Sequence, residues 1–291
     1  MSATDPRSEH PSEGFDGTPQ SQPGLTSETN PTPDHGESSY VGAGKLSGRR
    51  ALITGGDSGI GRAVAIAFAR EGADVAIVHL PEEEEDAAST AQLITEAGRQ
   101  ALLIPGDVCD EEFCRRAVEL TVSELGGIDI LIPNAAYQKS RDSLETLETA
   151  EFARVFETNL YSLLWFVKYA LPHLEAGASI IVTSSIQAAE PSAGLIDYAM
   201  TKAAQVAFVK AMAEELGPRG IRVNAVAPGP IWTPLIPATD WPDKVAEFGQ
   251  ETPLGRPGQP AELAPAYVLL ASDDGSYMSG GVIAVTGGKP F

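Results

Sequence analysis

The sequence predicts an α/β protein: a single domain on a doubly wound, parallel sheet of about seven strands, preceded by an extended or disordered N-terminal arm. From residue 46 onward, short apolar runs rich in β-branched residues alternate with longer segments of helical character. A glycine-rich turn, Gly55–Gly61, joins the first apolar run to the first helix. Residues 1–45 carry almost no aliphatic side chains, which separates this arm from the domain at 46–291.

The arm is rich in proline, serine, threonine, glutamate and glycine. Such a segment buries too little apolar surface to offset the entropy lost when it is ordered. Two interpretations stay open. Either the arm is disordered, or it lies extended on a neighbouring subunit with Phe15, Leu25 and Tyr40 as its anchors.

The first strand, Arg50–Thr54, is short and apolar and directly precedes the glycine-rich turn. Similar runs predict the later strands at 73–79, 100–105, 128–132, 178–183, 221–226 and 282–285. The intervening segments predict helices over 60–70, from 82 onward, 110–125, 148–174, 198–216 and 262–271. Because strands and helices alternate, we expect a parallel sheet with a ligand at the carboxyl ends of its strands.

The predicted helix at 148–174 carries aromatic side chains over a face that is wide for one helix. We expect one side of it to pack in the core and the other to contact a second subunit. The aromatic residues are Phe152, Phe156, Tyr161, Trp165, Phe166 and Tyr169.

Charge and composition argue against several classes of protein. A formal net charge of −20 disfavours binding to nucleic acid or to anionic lipid. No apolar run approaches the ~18 residues of a membrane span, and the N-terminus does not resemble a secretory signal. Cys109 and Cys114 form neither a disulfide framework nor a metal-ligand pattern. We therefore expect a cytoplasmic protein without a bound metal.

The turn Gly55–Gly61 is a candidate phosphate site. It leaves backbone N–H groups bare at the start of a helix, where the helix dipole favours an anion such as a pyrophosphate. Its spacing is G-x-x-x-G-x-G, not the commoner G-x-G-x-x-G.

In a dinucleotide-binding fold, the tip of the second strand approaches the adenosine ribose, where an acidic residue would bind the 2′-hydroxyl. Here that tip is His79-Leu80-Pro81, which contains no acidic residue. The acidic run at 82–86 would repel a 2′-phosphate, so the preference between NAD and NADP stays open.

Tyr198 and Lys202 lie four residues apart on a predicted helix, and therefore on one face of it. A phenol has a pKa near ~10 and is a poor base at neutral pH, but a nearby cation lowers that pKa. Ser185, at the end of the preceding strand, can face this pair and hold a substrate oxygen. The three residues together suit proton transfer.

A long, proline-rich loop runs from Pro228 to about Pro260. Loops of this length usually act as lids or binding loops. With Gln187, Pro191 and Tyr137, its residues from Trp232 to Phe248 are candidates to form a substrate pocket. Such a mixed lining would suit a small aldehyde, a polyol or a sugar.

Several motifs together resemble the short-chain dehydrogenase/reductase family over about residues 45–291. They are Thr54-Gly-Gly-Asp-Ser-Gly-Ile-Gly61, Asn134-Ala-Ala, Asn159, Ser185, Tyr198-x-x-x-Lys202 and Pro228-Gly229. The interval of 13 residues from Ser185 to Tyr198 matches the family and selects Ser185 over Ser184. The amino-acid sequences of the glycine-rich turn and of residues 79–85 are similar to those of one subgroup of this family, the glucose/ribitol dehydrogenase-like or general-stress oxidoreductases.

The resemblance implies a Rossmann fold and hydride transfer between a nicotinamide and a small carbonyl or alcohol. Tyr198 would be the acid/base, Lys202 would lower its pKa, Ser185 would orient the substrate oxygen, and Asn159 would hold a water in a proton relay. The implied binding residues for NAD or NADP are Gly55, Asp57, Ser58, Gly59, Ile60, Gly61, His79, Asp107, Val108, Asn134, Ala135, Tyr198, Lys202, Pro228, Gly229, Ile231 and Thr233.

The chain departs from the family pattern at two places. Pro133-Asn134-Ala135-Ala136 replaces the usual Asn-Asn-Ala-Gly, and His79-Leu80 replaces the usual specificity residues.

The resemblance also bears on the assembly. The family is usually oligomeric, which makes a homotetramer the expected assembly.

Two other functions compete with a dehydrogenase. A dinucleotide-binding sensor or scaffold would need the glycine-rich turn but not the set Asn159, Ser185, Tyr198 and Lys202. Sugar-nucleotide epimerases or dehydratases share Tyr-x-x-x-Lys, but the 93 residues that follow Tyr198 are too few for their added substrate domain.

Overall fold

The computed structural model describes residues 4–241 and 245–291. Its sheet has seven parallel strands in the order β3-β2-β1-β4-β5-β6-β7. The strands are β1 Arg50–Thr54, β2 Asp74–His79, β3 Ala101–Pro105, β4 Ile130–Ile132, β5 Ser179–Thr183, β6 Arg222–Pro228 and β7 Val282–Val285. The predicted doubly wound sheet is therefore confirmed, with each strand within a few residues of its expected bounds.

The central strands are apolar along their whole length because helices cover both faces of the sheet. Ile53 of β1 pairs with Ile77 of β2 on one side and with Ile132 of β4 on the other, and all three are fully buried. Within the described residues, the α-helices are α1 Gly59–Arg70, α2 Glu84–Glu96, α3 Glu111–Leu125, α4 Thr149–Phe156, α5 Ser162–Ala170, α6 Ile196–Leu216 and α7 Pro260–Ala271.

Helices α1 and α7 pack in one apolar layer, and α3, α5 and α6 pack in the other. The strand order reverses between β1 and β4, which opens a crevice at the carboxyl ends of these strands. The crevice is where the sequence places the glycine-rich turn and Asn134. None of the helices seen in the described parts of the chain is both long and apolar enough to cross a bilayer.

The helical stretch predicted at 148–174 is divided by one turn of π-helix at Glu157–Tyr161 and ends at Ala170. A π-turn inserts an extra residue and often occurs at functional sites. It turns Asn159 into the protein interior, where the residue is buried. On the far side of the turn, Tyr161 and Leu164 are about half exposed, with 46% and 52% of their surface accessible.

The N-terminal arm is extended, and in the described part of the chain it lies on its own domain. Phe15 is buried against Trp232, with 4.5 Å between the ring centroids. The Tyr40 hydroxyl donates a 2.6 Å hydrogen bond to Glu71, and Leu25 is half-buried. Two of the three residues expected to act as anchors, Phe15 and Tyr40, thus contact the domain of the same chain, and aromatic and polar contacts order the arm despite its lack of aliphatic residues.

Candidate active site

A cleft with a cavity volume of about 860 Å³ lies at the carboxyl ends of the strands. It gathers residues from the glycine-rich turn, from the segments after β2 to β6 and from the start of α6. The predicted site residues on its wall are Gly55, Asp57, Ser58, Gly59, Ile60, His79, Asp107, Val108, Asn134, Ala135, Tyr137, Ser185, Gln187, Pro191, Tyr198, Lys202, Pro228, Gly229, Ile231 and Thr233. Gly61, Asn159 and Trp232 are not on the wall.

The glycine-rich turn presents the start of α1 to the cleft. Ser58 precedes the helix, but its side chain does not cap the first backbone N–H groups. These donors therefore face the cleft, which suits the pyrophosphate of a dinucleotide. Gly61 lies behind the turn, where a Cβ would stand 1.8 Å from the Gly55 carbonyl oxygen. Glycine is therefore required at position 61 for the close packing of the turn, and not for contact with a ligand.

Asn134 holds the turn against β4 and β5. Its Nδ2 donates to the carbonyl oxygens of Thr54 and Gly55 at 3.1 and 3.0 Å. Its Oδ1 accepts a 3.0 Å hydrogen bond from the Thr183 hydroxyl. The unusual Pro133-Asn134-Ala-Ala sequence thus still supplies an amide that links three strands.

Tyr198 and Lys202 lie in the first turns of α6, and both are buried on the cleft wall. Lys202 Nζ is 5.2 Å from the centroid of the Tyr198 ring and donates a 2.7 Å hydrogen bond to the Thr183 carbonyl oxygen. Ser185 immediately precedes a 3₁₀ turn, and its hydroxyl hydrogen-bonds the Tyr198 phenol. The structure therefore brings the predicted trio together at the end of β5.

Burial dominates the protonation of this pair. It raises the pKa of Tyr198 to about 12, with the Ser185 hydrogen bond acting in the opposite direction. Burial also lowers the pKa of Lys202 to about 7. With protein groups alone, the ammonium does not bring the phenol pKa below its ordinary value, because both groups are fully enclosed.

Asn159 fixes the cleft wall from behind. Its side chain accepts from the Tyr137 backbone N–H at 2.8 Å and donates to the Tyr137 carbonyl at 2.9 Å. The Asn159 backbone carbonyl accepts a 2.6 Å hydrogen bond from Gln205 Nε2. Gln205 is a buried residue of α6 that sequence reasoning missed, since an interior glutamine on a helix shows no motif.

At the opposite end of the cleft, Asp57 and Glu83 form an acidic pair. Asp57 is fully buried, and among the described residues neither carboxylate oxygen has a hydrogen-bond partner of good geometry. Burial raises the pKa of Asp57 to about 6. Burial, with the negative charge of Asp57, raises the pKa of Glu83 to about 8.

Glu83 belongs to the acidic run that the sequence explains equally well as a helix start. It accepts a 2.9 Å hydrogen bond from the Leu80 backbone N–H, which turns its carboxylate inward beneath the tip of β2. The side chain of His79 at that tip is also buried. The carboxylates missing from the strand tip are thus supplied by the glycine-rich turn and by Glu83.

Near Ser185, three of the residues expected to form a substrate pocket, Tyr137, Gln187 and Pro191, lie on the cleft wall, whereas the fourth, Trp232, does not. Trp232 is fully buried beneath Phe15, and its Nε1 donates a 2.6 Å hydrogen bond to the Pro31 carbonyl oxygen. The arm draws this indole away from the cleft. Trp241 lines the cleft instead, while residues 242–244 of the predicted lid fall outside the described residues.

The fold and the cleft define a class of protein: oxidoreductases that bind a nicotinamide dinucleotide at the switch point of a parallel sheet. A family model described as "Enoyl-(Acyl carrier protein) reductase" matches residues 55–289. The chain therefore belongs to the short-chain dehydrogenase/reductase family and is an oxidoreductase.

Curated relatives agree with the expected subgroup. The chain is 53% identical to General stress protein 39 of Bacillus subtilis, over 94% of this chain and 95% of the relative. It is 45% identical to the chloroplastic NADPH-dependent aldehyde reductase 1 of Arabidopsis thaliana, over 92% and 95%. It is 43% identical to the Glucose and ribitol dehydrogenase homolog 2 of that plant, again over 92% and 95%.

A solved structure shows the same architecture. A short-chain dehydrogenase from Burkholderia cenocepacia J2315, in complex with NADP, superimposes with a TM-score of 0.79 at 33% identity. The match covers 84% of this chain and 98% of that one.

Proposed function

We propose that this protein transfers a hydride between NAD or NADP and a small substrate, either reducing a carbonyl or oxidising the corresponding CH–OH group. The observation that carries the proposal is the convergence of Ser185, Tyr198 and Lys202 at one end of the cleft that holds the uncapped start of α1. When bound, the nicotinamide would supply or accept the hydride. The remaining steps would fall to this chain's own residues.

Tyr198 would give its proton to the carbonyl oxygen during reduction and take it back during alcohol oxidation. Ser185 would donate a hydrogen bond to the same oxygen. Lys202, fixed by the Thr183 carbonyl, would stabilise the phenolate that remains. Asn159 would hold Tyr137 through its side chain, and its backbone carbonyl, which accepts from Gln205 with one lone pair, keeps a second for a water of the proton relay.

The residues present fit a dinucleotide. The donors at the start of α1 would bind its pyrophosphate, as their lack of a side-chain cap suggests. Asp107 and Val108 would meet the adenine, and Pro228, Ile231 and Thr233 the carboxamide side of the nicotinamide. Asp57 offers buried carboxylate oxygens that would accept a hydrogen bond from a ribose hydroxyl.

Two observations bear on the cofactor in opposite directions. The Burkholderia neighbour was solved with NADP, and the plant relative is named as NADPH-dependent. In this chain, however, the buried Asp57 and Glu83 near the tip of β2 would oppose a 2′-phosphate when they are ionised. We therefore propose NAD or NADP without ranking them, and the affinity for each needs to be measured.

For the substrate we propose an aldehyde, a polyol or a sugar. The pocket wall combines the amide of Gln187, the phenol of Tyr137 and the apolar Pro191 and Trp241. This lining offers hydrogen bonds for hydroxyl groups and apolar contacts for a short carbon chain. The names of the plant relatives span the same range, from an aldehyde reductase to a glucose and ribitol dehydrogenase homolog.

The proposal is tested by turnover of a panel of aldehydes, polyols and aldoses with each cofactor, followed by Tyr198→Phe. We expect kcat to fall by about 10²–10³-fold, because the variant lacks the transferable proton. Tyr169→Phe is the matched control, since Tyr169 hydrogen-bonds Glu111 on the outer surface of α5. A loss under tenfold in a folded Tyr198→Phe variant would argue against the role of the tyrosine. Cofactor binding without turnover across the panel would favour a non-catalytic sensor or scaffold.

We further propose a cytoplasmic homotetramer. Tyr161 and Leu164 expose apolar surface on one side of the π-turn and α5, where the sequence predicts a subunit contact. The unpaired thiols of Cys109 and Cys114 suit a reducing compartment. Light scattering at micromolar concentration tests the assembly, and a purely monomeric protein would contradict it.

A further inference from the structure

We propose that Gln22, in the N-terminal arm, is a positioning residue that sets the shape of the substrate pocket by tying two of its walls together. The inference rests on the proposed function, since it concerns the pocket next to Tyr198. Gln22 and its neighbour Pro23 both lie on the wall of the cleft, although they come from outside the nucleotide-binding domain.

The Gln22 side chain makes two long-range hydrogen bonds from one amide group. Its Nε2 donates to the Gln138 carbonyl oxygen at 2.9 Å and to the Ala238 carbonyl oxygen at 2.8 Å. An amide NH₂ has two N–H groups, so both donors are used. The arm, the segment after β4 and the long loop after β6 therefore meet at one nitrogen atom.

Both acceptors belong to segments that form the pocket. Gln138 follows Tyr137, and Ala238 lies in a 3₁₀ turn that follows the cleft-lining Leu235 and Ile236. The two walls are also joined directly, because the Ser140 N–H donates to the Thr239 carbonyl oxygen at 2.8 Å. Asn159 fixes Tyr137 from inside the domain, and Gln22 fixes the next residue from the arm.

The arm is well placed to act as a fixed support. At Gly24 the backbone has a φ of +77° and packs directly on the loop, so that a Cβ there would stand 2.6 Å from the Pro234 carbonyl oxygen. The Thr26 N–H donates to Asp86 on α2 at 2.9 Å. The segment at 22–26 thus spans from the substrate loop to the helix beside the acidic pair, and the Gln22 amide has little freedom to move.

The first test is steady-state kinetics of Gln22→Ala in the full-length protein, with the best substrate of the panel. We expect KM for that substrate to rise about tenfold, with kcat within about threefold of wild type, because a pocket wall is loosened while Tyr198 and Lys202 stay in place. Gln22→Glu replaces the amide donor with a carboxylate, whose oxygens would face the two carbonyl oxygens and repel them, so this variant should raise KM further. Gln22→Asn, with a donor on a shorter side chain, should recover part of the loss.

The matched control is Gln250→Ala. Gln250 also joins the loop to the arm, through a 3.0 Å hydrogen bond to the Ser12 carbonyl oxygen, but it is exposed and lies outside the cleft. If Gln22 acts only by attaching the arm, both variants will lose the same thermal stability and keep the wild-type KM. That result would overturn the inference.

A second measurement does not depend on turnover. Hydrogen exchange followed by mass spectrometry should show at least about tenfold faster exchange at 136–140 and 235–239 in Gln22→Ala, but not in Gln250→Ala. If exchange is unchanged in both segments, Gln22 does not hold the two pocket walls together, and the inference is overturned even if the enzyme is active. If exchange is faster but the protein turns over no substrate, the role of Gln22 in joining the two walls is supported and the proposed function is not.

Discussion

Lys202 is expected to destabilise the folded protein in the absence of cofactor, in a way that depends on pH. Its side chain is almost completely buried, and burial lowers its pKa from 10.5 to about 7. Between these two values the unfolded chain binds more protons than the folded one. Stability should therefore rise as pH increases through this window, and the full cost of the buried ammonium is present below about pH 7.

The size of the effect follows from the difference between the two pKa values. At ~1.4 kcal/mol per pKa unit, burying the ammonium costs about 5 kcal/mol below pH 7 and about 2 kcal/mol at pH 9. Lys202→Met removes this cost but also loses the hydrogen bond to the Thr183 carbonyl, worth ~1–2 kcal/mol. The variant should be more stable than wild type by about 3 kcal/mol at pH 6 and by less than about 1 kcal/mol at pH 9.

Urea denaturation of both proteins at pH 6 and pH 9, without cofactor, measures this difference. Lys210→Met serves as the control, because Lys210 is exposed on the same helix. Comparing variant with wild type at each pH cancels the titration of Asp57, Glu83 and the other carboxyls. A gain in stability that is equal at the two pH values would refute the reasoning, since it would mean that the pKa of Lys202 is the same in the folded and the unfolded chain.

Arg141→Leu should destabilise the fold by ~3–5 kcal/mol in urea denaturation, because it leaves Asp197 buried without the guanidinium that lies 2.5 Å away. Adding Asp197→Asn should recover part of the loss, and a double variant no more stable than the single one would show that the ion pair is not the cause. Asp57→Asn should shift the ratio of dissociation constants about tenfold toward NADP at pH 8, where the native carboxylate is ionised. Fluorescence titration with both cofactors measures that ratio, and an unchanged ratio would remove Asp57 from cofactor selection.

The sequence predicts the sheet and most of the cleft wall because their signals are local. A buried strand such as β1 is a short apolar run, and the turn after it needs glycine at fixed positions. Since all strands are parallel, their carboxyl ends share one edge, so residues after each strand must converge there. The sequence alone therefore suffices to place Ser185 and Tyr198 in one site.

The features that were missed depend on contacts between segments far apart in the chain. Nothing near Trp232 indicates that Phe15 will cover it, and nothing near Gln22 indicates that its amide will reach Ala238. Glu83 was visible as part of an acidic run, but only the turn at Leu80 directs its carboxylate inward. Composition was also misleading for the arm, because the packing of Phe15 and the hydrogen bonds of side chains such as Gln22 and Tyr40 order it without aliphatic residues.

The protonation of the cleft bears on the direction of the proposed reaction. Burial keeps the proton on Tyr198 and makes Lys202 easier to neutralise, so the protein groups alone hold the phenol in its protonated form but make it a weaker acid than a free phenol. A neutral phenol next to the Ser185 hydroxyl suits reduction of a carbonyl, in which Tyr198 gives up its proton. Oxidation of an alcohol would first need the phenolate, whose stabilisation requires a charged Lys202. Reduction leaves that same phenolate on Tyr198, so both directions of the proposed reaction would depend on a charged Lys202, and the enclosure that makes Lys202 costly for folding would oppose both.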